Sequence, residues 1–226
     1  MNVLVIDGET CETSRDEKGQ LDVKNGQVYD LGGEVINLES EEILTEFSIV
    51  NEDVFFGMKE SMKEAYYAEK IPQYLQEMRE GKRTIMNTWQ MWKYIYQICQ
   101  QYEIKYIIAH NIWFDINTLN ATMRYQTKSQ KRYFLPYGIK LLDTMRMAEK
   151  VISKTEEYIA FCETNNYMTN HATPRPRLTA EVLWRFLKND NNFQEAHTGL
   201  EDVKIEGEIF LECLKRGYPL FSHCDS

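Results

Sequence analysis

Cysteine is scarce and poorly placed for structural work. The five cysteines, at positions 11, 99, 162, 213 and 224, include no Cys-x-x-Cys pair, and an odd, scattered set excludes both a disulfide framework and a structural zinc pattern. A reducing, cytosolic setting is the expectation. Long apolar runs are missing too: nothing approaches the roughly 20 residues needed to span a bilayer. The short apolar start is broken at Asp7, unlike a signal peptide, so the protein is expected to be soluble and unsecreted. Nor is there an excess of Lys and Arg. The formal net charge of −9 argues against a protein that coats nucleic acid by simple electrostatics. Repeats and low-complexity segments are absent.

What is present suffices for a core without covalent staples. A chain of 226 residues, 43% of them apolar, can bury one substantial core, so a single domain over residues 1–226 is expected, enlarged by an insertion at 51–87. Charge is unevenly spread. Residues 1–60 carry 15 Asp and Glu against four Lys and Arg, whereas 121–150 carry seven Lys and Arg against Asp143 and Glu149. Such a division suits an acidic metal site served by a separate basic stretch, and equally suits ordinary solvated faces.

Periodicity supplies the elements. Residues 2–6, Asn-Val-Leu-Val-Ile, read as a buried strand that delivers Asp7 at its carboxyl end. Further strands are expected at 27–38 and 42–50, the first interrupted by a bulge or bend at Gly32-Gly33. A helical stretch near 60–80 ends at Gly81. Trp89, Trp92, Ile95, Tyr96 and Cys99 recur at helical spacing and mark an amphipathic helix over 88–102, with its aromatic residues read as core. Lys105 to Ala109 is a second buried strand, leading through His110-Asn111 into a helix that carries Asp115. A last short strand at 139–143 precedes helices near 144–163, 179–188 and 198–215, while Thr-Pro-Arg-Pro-Arg at 173–177 must be a loop. The order implies an α/β domain with a five-stranded mixed sheet flanked by helices.

Three segments carry candidate chemistry. In Asp7-Gly8-Glu9, strand alternation sends both carboxylates to one side, where they repel unless a cation intervenes. In His110-Asn111-Ile112-Trp113-Phe114-Asp115, the final acid falls in the first turn of a helix, a place that capping or the helix dipole also explains. In His197-Thr198-Gly199-Leu200-Glu201-Asp202, the histidine and aspartate face one cavity if a helix starts between them.

In this order the segments resemble the DEDD exonuclease superfamily, the DnaQ-like proteins of ribonuclease H-like fold, across nearly the whole chain. That family's motifs read Asp-x-Glu, Asn-x-x-aromatic-Asp and His-x-x-x-x-Asp, matched here by Asp7 with Glu9, by Asn111 to Asp115, and by His197 with Asp202. The histidine-type subfamily is implied, since Thr198 stands where the alternative subfamily has tyrosine. Small relatives occur in bacteria and their phages, which implies a bacterial cytoplasm or an infected host. Leu142-Asp143-Thr144 also resembles a family segment, and helix capping by Asp143 is favoured over metal binding.

The resemblance implies a 3′-to-5′ exonuclease releasing nucleoside 5′-monophosphates from a free 3′ end, with single-stranded DNA expected ahead of RNA. Two divalent cations, Mg²⁺ or Mn²⁺, would be held by four carboxylates: Asp7 as bridge, Glu9 and Asp202 directly, Asp115 directly or through water. His197 would be the general base, so activity should fall in mild acid. His110, His171 and His223 are assigned to a turn, a loop and the tail. Thr10 and Asn111 would touch the terminal nucleotide. Arg124, Lys128, Lys131 and Arg132, interleaved with Tyr125 and Tyr133, could follow the phosphates or be plain solvated surface. A polymerase partner is conceivable, with Tyr218-Pro219-Leu220-Phe221 the weak docking candidate. An oligonucleotide or small-nucleotide phosphodiesterase and a catalytically idle nucleic-acid-binding module remain the alternatives.

Overall fold

The computed structural model describes residues 1–12, 14–15, 21–131 and 133–220. Arg132, Phe221, His223 and Cys224 therefore lie outside the described residues. The chain opens with β1 (Asn2–Cys11), a small antiparallel ribbon of β2 (Ser14–Arg15) and β3 (Leu21–Asp22), and the long strands β4 (Gln27–Asn37) and β5 (Glu42–Asn51). The stretch 51–87 holds α1 (Glu52–Phe55), α2 (Lys59–Lys63), a 3₁₀ turn at Ala68–Lys70, α3 (Ile71–Arg79) and β6 (Thr84–Met86). There follow α4 (Thr88–Gln101), β7 (Tyr106–Ala109), α5 (Ile112–Thr127), β8 (Lys140–Asp143), α6 (Thr144–Val151), α7 (Glu156–Thr164), α8 (Ala180–Lys188) and α9 (Gly199–Lys215).

The main sheet runs β6-β5-β4-β1-β7-β8. The first three long strands form an antiparallel meander, while β7, β8 and β6 join in parallel. The sheet thus has six strands, not five. The additional strand, β6, is three residues long with Thr84 and Ile85 exposed, so it shows none of the alternation by which a strand is read from sequence.

Alternation along β1 divides the core. Leu4 and Ile6 pack with Met91, Ile95, Leu119 and Met123 of α4 and α5 on one face. Val3 and Val5 pack with Met147, Leu183, Val203 and Ile209 of α6, α8 and α9 on the other. With both faces covered, Val3, Leu4 and Val5 are fully buried. The 51–87 stretch has an apolar cluster of its own, in which Val54, Phe55, Met62 and Tyr74 close over Tyr29 and Val50.

Two local expectations are corrected. Register shifts fall at Glu9/Thr10 and Val35/Ile36, not at Gly32-Gly33. Those glycines answer to space: a Cβ on Gly32 would stand 2.1 Å from the carbonyl carbon of Gly199, and one on Gly33 would stand 2.2 Å from the Phe47 ring. The helical region at 144–163 is two helices, because Thr155 caps α7 by accepting from the Tyr158 amide, with Glu156 and Glu157 in the first turn. No helix among the described residues is long and apolar enough to cross a membrane.

Candidate active site

The odd positions of β1 that bury Val3 and Val5 toward α9 continue into Asp7 and Glu9, so both carboxylates emerge on the α9 side of the strand end. α9 comes close because Gly32 and Gly199 leave no side chains between them; a Cβ on Gly199 would lie 2.6 Å from the Gly32 nitrogen and 2.9 Å from the Asp7 carbonyl oxygen. The amide of Gly199 donates to Asp30 Oδ2 over 2.9 Å, fixing the start of the helix. One turn on, Asp202 is carried to the strand end. Asp115 arrives from α5, and its Oδ1 accepts the Gly8 amide at 3.2 Å.

His197 sits just outside α9 with φ of +50°, a left-handed turn uncommon for a non-glycine residue. Its ring is stacked on Tyr67 from the 51–87 stretch, with centroids 4.4 Å apart and planes 15° from parallel. Lys70 donates to the His197 carbonyl at 3.3 Å and lies over the Tyr67 ring. Donor atoms of Glu9, His197 and Asp202 all fall within 4.8 Å of one another.

These groups open into a cleft of about 910 Å³ lined by Asp7, Glu9, His197, Asp202 and Glu206 on one part of its surface, and by Asn111, Phe114 and the 169–180 segment on another. Burial raises the acids at the strand end and on α9. Asp7 is pushed well above the carboxylate range by burial and then by Glu206, Asp115, Glu9 and Asp202. Glu9 and Asp115 are each pushed up to about 8, chiefly by burial, and Asp202 to about 7. His197 is lowered by burial and by Lys70, which favours its neutral form. Such crowding of acids is what an intervening cation relieves. Asp202 Oδ1 is also buried with no hydrogen-bond partner among the described residues. The donor set therefore fits a hard divalent cation.

Glu206 was not among the residues singled out in the sequence. It is 4% exposed, accepts the His110 amide at 2.9 Å, and is raised strongly by burial and then by Asp115. Its spacing of four from Asp202 was the available signal, since it places both on one helix face. Tyr67 and Glu195, which also line the cleft, carried no comparable mark.

Asp143 caps α6, its Oδ1 accepting the Met145 and Asn111 amides, both at 3.0 Å. His110 Nε2 faces the Leu178 carbonyl at 2.6 Å, which can only accept, so Nε2 carries the proton and Nδ1 faces Thr144 Oγ1 at 2.8 Å. Asn111 is left-handed and lines the cleft. Thr10 is half-buried and pairs with Val28, away from the cleft lining. Arg124 faces a different depression with Lys24, Asn25 and Tyr125, and Lys128 is exposed at the left-handed end of α5. Lys131 is engaged elsewhere, its Nζ 3.6 Å from the centre of the Trp92 ring. His171 lines the cleft.

No family model and no curated protein matches the chain. Solved structures do. Over 100% of this chain and 97% of the other, it superposes with a TM-score of 0.58 at 13% identity on the nuclease domain of 3′hExo, a DEDDh family member, bound to rAMP. A 3′-exonuclease in 3′-end specific recognition of a histone mRNA stem-loop gives 0.57 at 13% identity, over 96% of this chain and 83% of that one. The fold is the ribonuclease H-like fold of these exonucleases. Within this ribonuclease H-like fold, an Exonuclease I from Methylocaldum szegediense is matched over 97% of this chain, with a TM-score of 0.53 at 15% identity. The match spans 41% of that longer protein.

Proposed function

We propose that this chain is a metal-dependent 3′-to-5′ exonuclease acting on single-stranded nucleic acid and releasing nucleoside 5′-monophosphates. The observation that supports this reading is the convergence of Asp7, Glu9, His197 and Asp202, from β1 and the start of α9, on one cleft, with Asp115 of α5 buried behind them and accepting the Gly8 amide. The four carboxylates would hold two divalent cations, Mg²⁺ or Mn²⁺. When bound, such a pair polarises a phosphodiester and acidifies water. His197, neutral at pH 7, accepts the proton of the attacking water. Tyr67 holds the imidazole in place, and Asn111 borders the space for the terminal nucleotide. The free, buried cysteines at 11, 99, 162 and 213 suit a reducing cytoplasm.

The test incubates the protein with matched 5′-labelled DNA and RNA single strands in Mg²⁺ or Mn²⁺, beside EDTA, Asp7→Ala and His197→Ala controls. A ladder retreating from the 3′ end, lost in EDTA and Asp7→Ala and slowed about 10²-fold or more in His197→Ala, is the expected result. Intact strands alongside cleavage of a dinucleotide would instead mark a small-nucleotide phosphodiesterase, and no cleavage of either would mark an idle module.

A further inference from the structure

The acidic part of the cleft faces a basic segment that is held in place. In Thr173-Pro174-Arg175-Pro176-Arg177 the prolines fix φ and keep the preceding residues extended. The segment is tied down at several points. Thr169 donates its amide to the Arg175 carbonyl at 2.8 Å, Arg175 donates its amide to Thr169 Oγ1 at 3.0 Å, and the Arg177 amide reaches the Tyr167 carbonyl at 2.9 Å. Tyr158 Oη–H donates to the Arg177 carbonyl, and His110 Nε2–H holds the next carbonyl, that of Leu178. The arm is thereby anchored to the turn that begins α5.

Arg175 and Arg177 are exposed, line the cleft, and make no side-chain hydrogen bond or ion pair among the described residues. This contrasts with Arg83, Arg185 and Arg216, each paired with a carboxylate. In an extended backbone, residues two apart point the same way about 6.6 Å from each other, a spacing that suits successive phosphates of a drawn-out strand. Arg146 lines the same cleft from the first turn of α6.

We propose that Arg175 and Arg177, with Arg146, grip the phosphates of the strand entering the carboxylate site, in place of the cations of the 124–132 region. The arm is then a substrate track. This rests on the exonuclease reading above, since it supplies the substrate contacts of that same site.

The experiment measures anisotropy of a 5′-labelled oligo(dT) and a matched oligo(U) against salt, using the full chain carrying Asp7→Asn so that the strand is not consumed. Arg175→Ala/Arg177→Ala is expected to flatten the slope of log K against log salt by about 1.4, about 0.7 for each phosphate left without its arginine. Arg175→Lys/Arg177→Lys should keep most of the slope, and Arg124→Ala/Lys128→Ala should leave it unchanged. An unaltered slope in the alanine pair overturns the proposal while leaving the exonuclease reading standing. A slope flattened equally in the lysine pair also overturns it, because charge is then not the cause. If the parent binds neither strand, both readings fall together.

Discussion

The His197 imidazole lies flat on the Tyr67 phenol, 4.4 Å between centroids, so a residue from the 51–87 stretch sets the orientation of the proposed base. Tyr67→Ala is expected to lower kcat about 10-fold, part of the ~10²–10⁴ a positioned base contributes, with KM little changed. Tyr67→Phe keeps the stacked ring and should restore most of the rate. Equal loss in both variants, or a change confined to KM, would remove Tyr67 from this role.

The raised acids fix the sign of a pH effect in the metal-free protein. Glu9 and Asp115 titrate near 8 and Asp202 near 7 in the fold, against reference values of 4.5 for Glu and 3.8 for Asp. The folded state therefore keeps protons that the unfolded state has released, and stability is lost as pH rises through 7 and 8. The Tm of EDTA-treated protein should fall from pH 5 to pH 9. Mg²⁺ should raise Tm more at pH 8 than at pH 5, because binding at the lower pH must displace more protons. A flat or rising metal-free profile would contradict this.

Asp30 is shared between two parts of the chain. Its Oδ2 accepts from Gly199 N at 2.9 Å, Tyr74 Oη at 2.7 Å and Arg83 at 2.8 Å. Arg83 is 7% exposed and would keep only Glu77 as a carboxylate partner, while Tyr74 Oη and the Gly199 amide would lose their acceptor, so Asp30→Ala is expected to cost about 3 kcal/mol in urea denaturation. Asp30→Ala/Arg83→Met should recover part of that. A cost below about 1 kcal/mol for the single change would show the pair to be dispensable.

Glu34, remote from the cleft lining, offers a cleaner titration. It is 2% exposed, its Oε2 has no partner among the described residues, and burial followed by Glu46 pushes it up to about 7. Its ionisation opposes folding above that value. Glu34→Gln should stabilise the protein at pH 8 by up to about 3 kcal/mol and do little at pH 4, where both forms are neutral. Paired urea titrations at the two pH values check this.

Strand alternation puts Asp7 and Glu9 on one side of β1, whereas Asp115, His197 and Asp202 stand out in the sequence only through the resemblance of the three ordered motifs to the DEDD exonucleases. Glu206 was not visible because Asp-x-x-x-Glu in an acidic helix is also the pattern of a solvated face. β6 was missed because an exposed three-residue edge strand has no period. Arg175 and Arg177 read as loop residues, and only the bonds from Thr169, Tyr158 and His110 give that loop a direction. The glycines at 32 and 33 announced irregular backbone, whereas their role is to admit Gly199 and Phe47. Long-range fit of this kind leaves no periodic trace.

The bond from Gly199 to Asp30 joins residues 169 positions apart and sets where the last helix lies on the first strands. During synthesis, β1 and its two acids leave the ribosome long before α9 does. Until α9 docks, Asp7 and Glu9 remain in water and the pocket that crowds them does not exist. The nascent chain therefore carries no assembled acidic centre until α9 has been made and has docked.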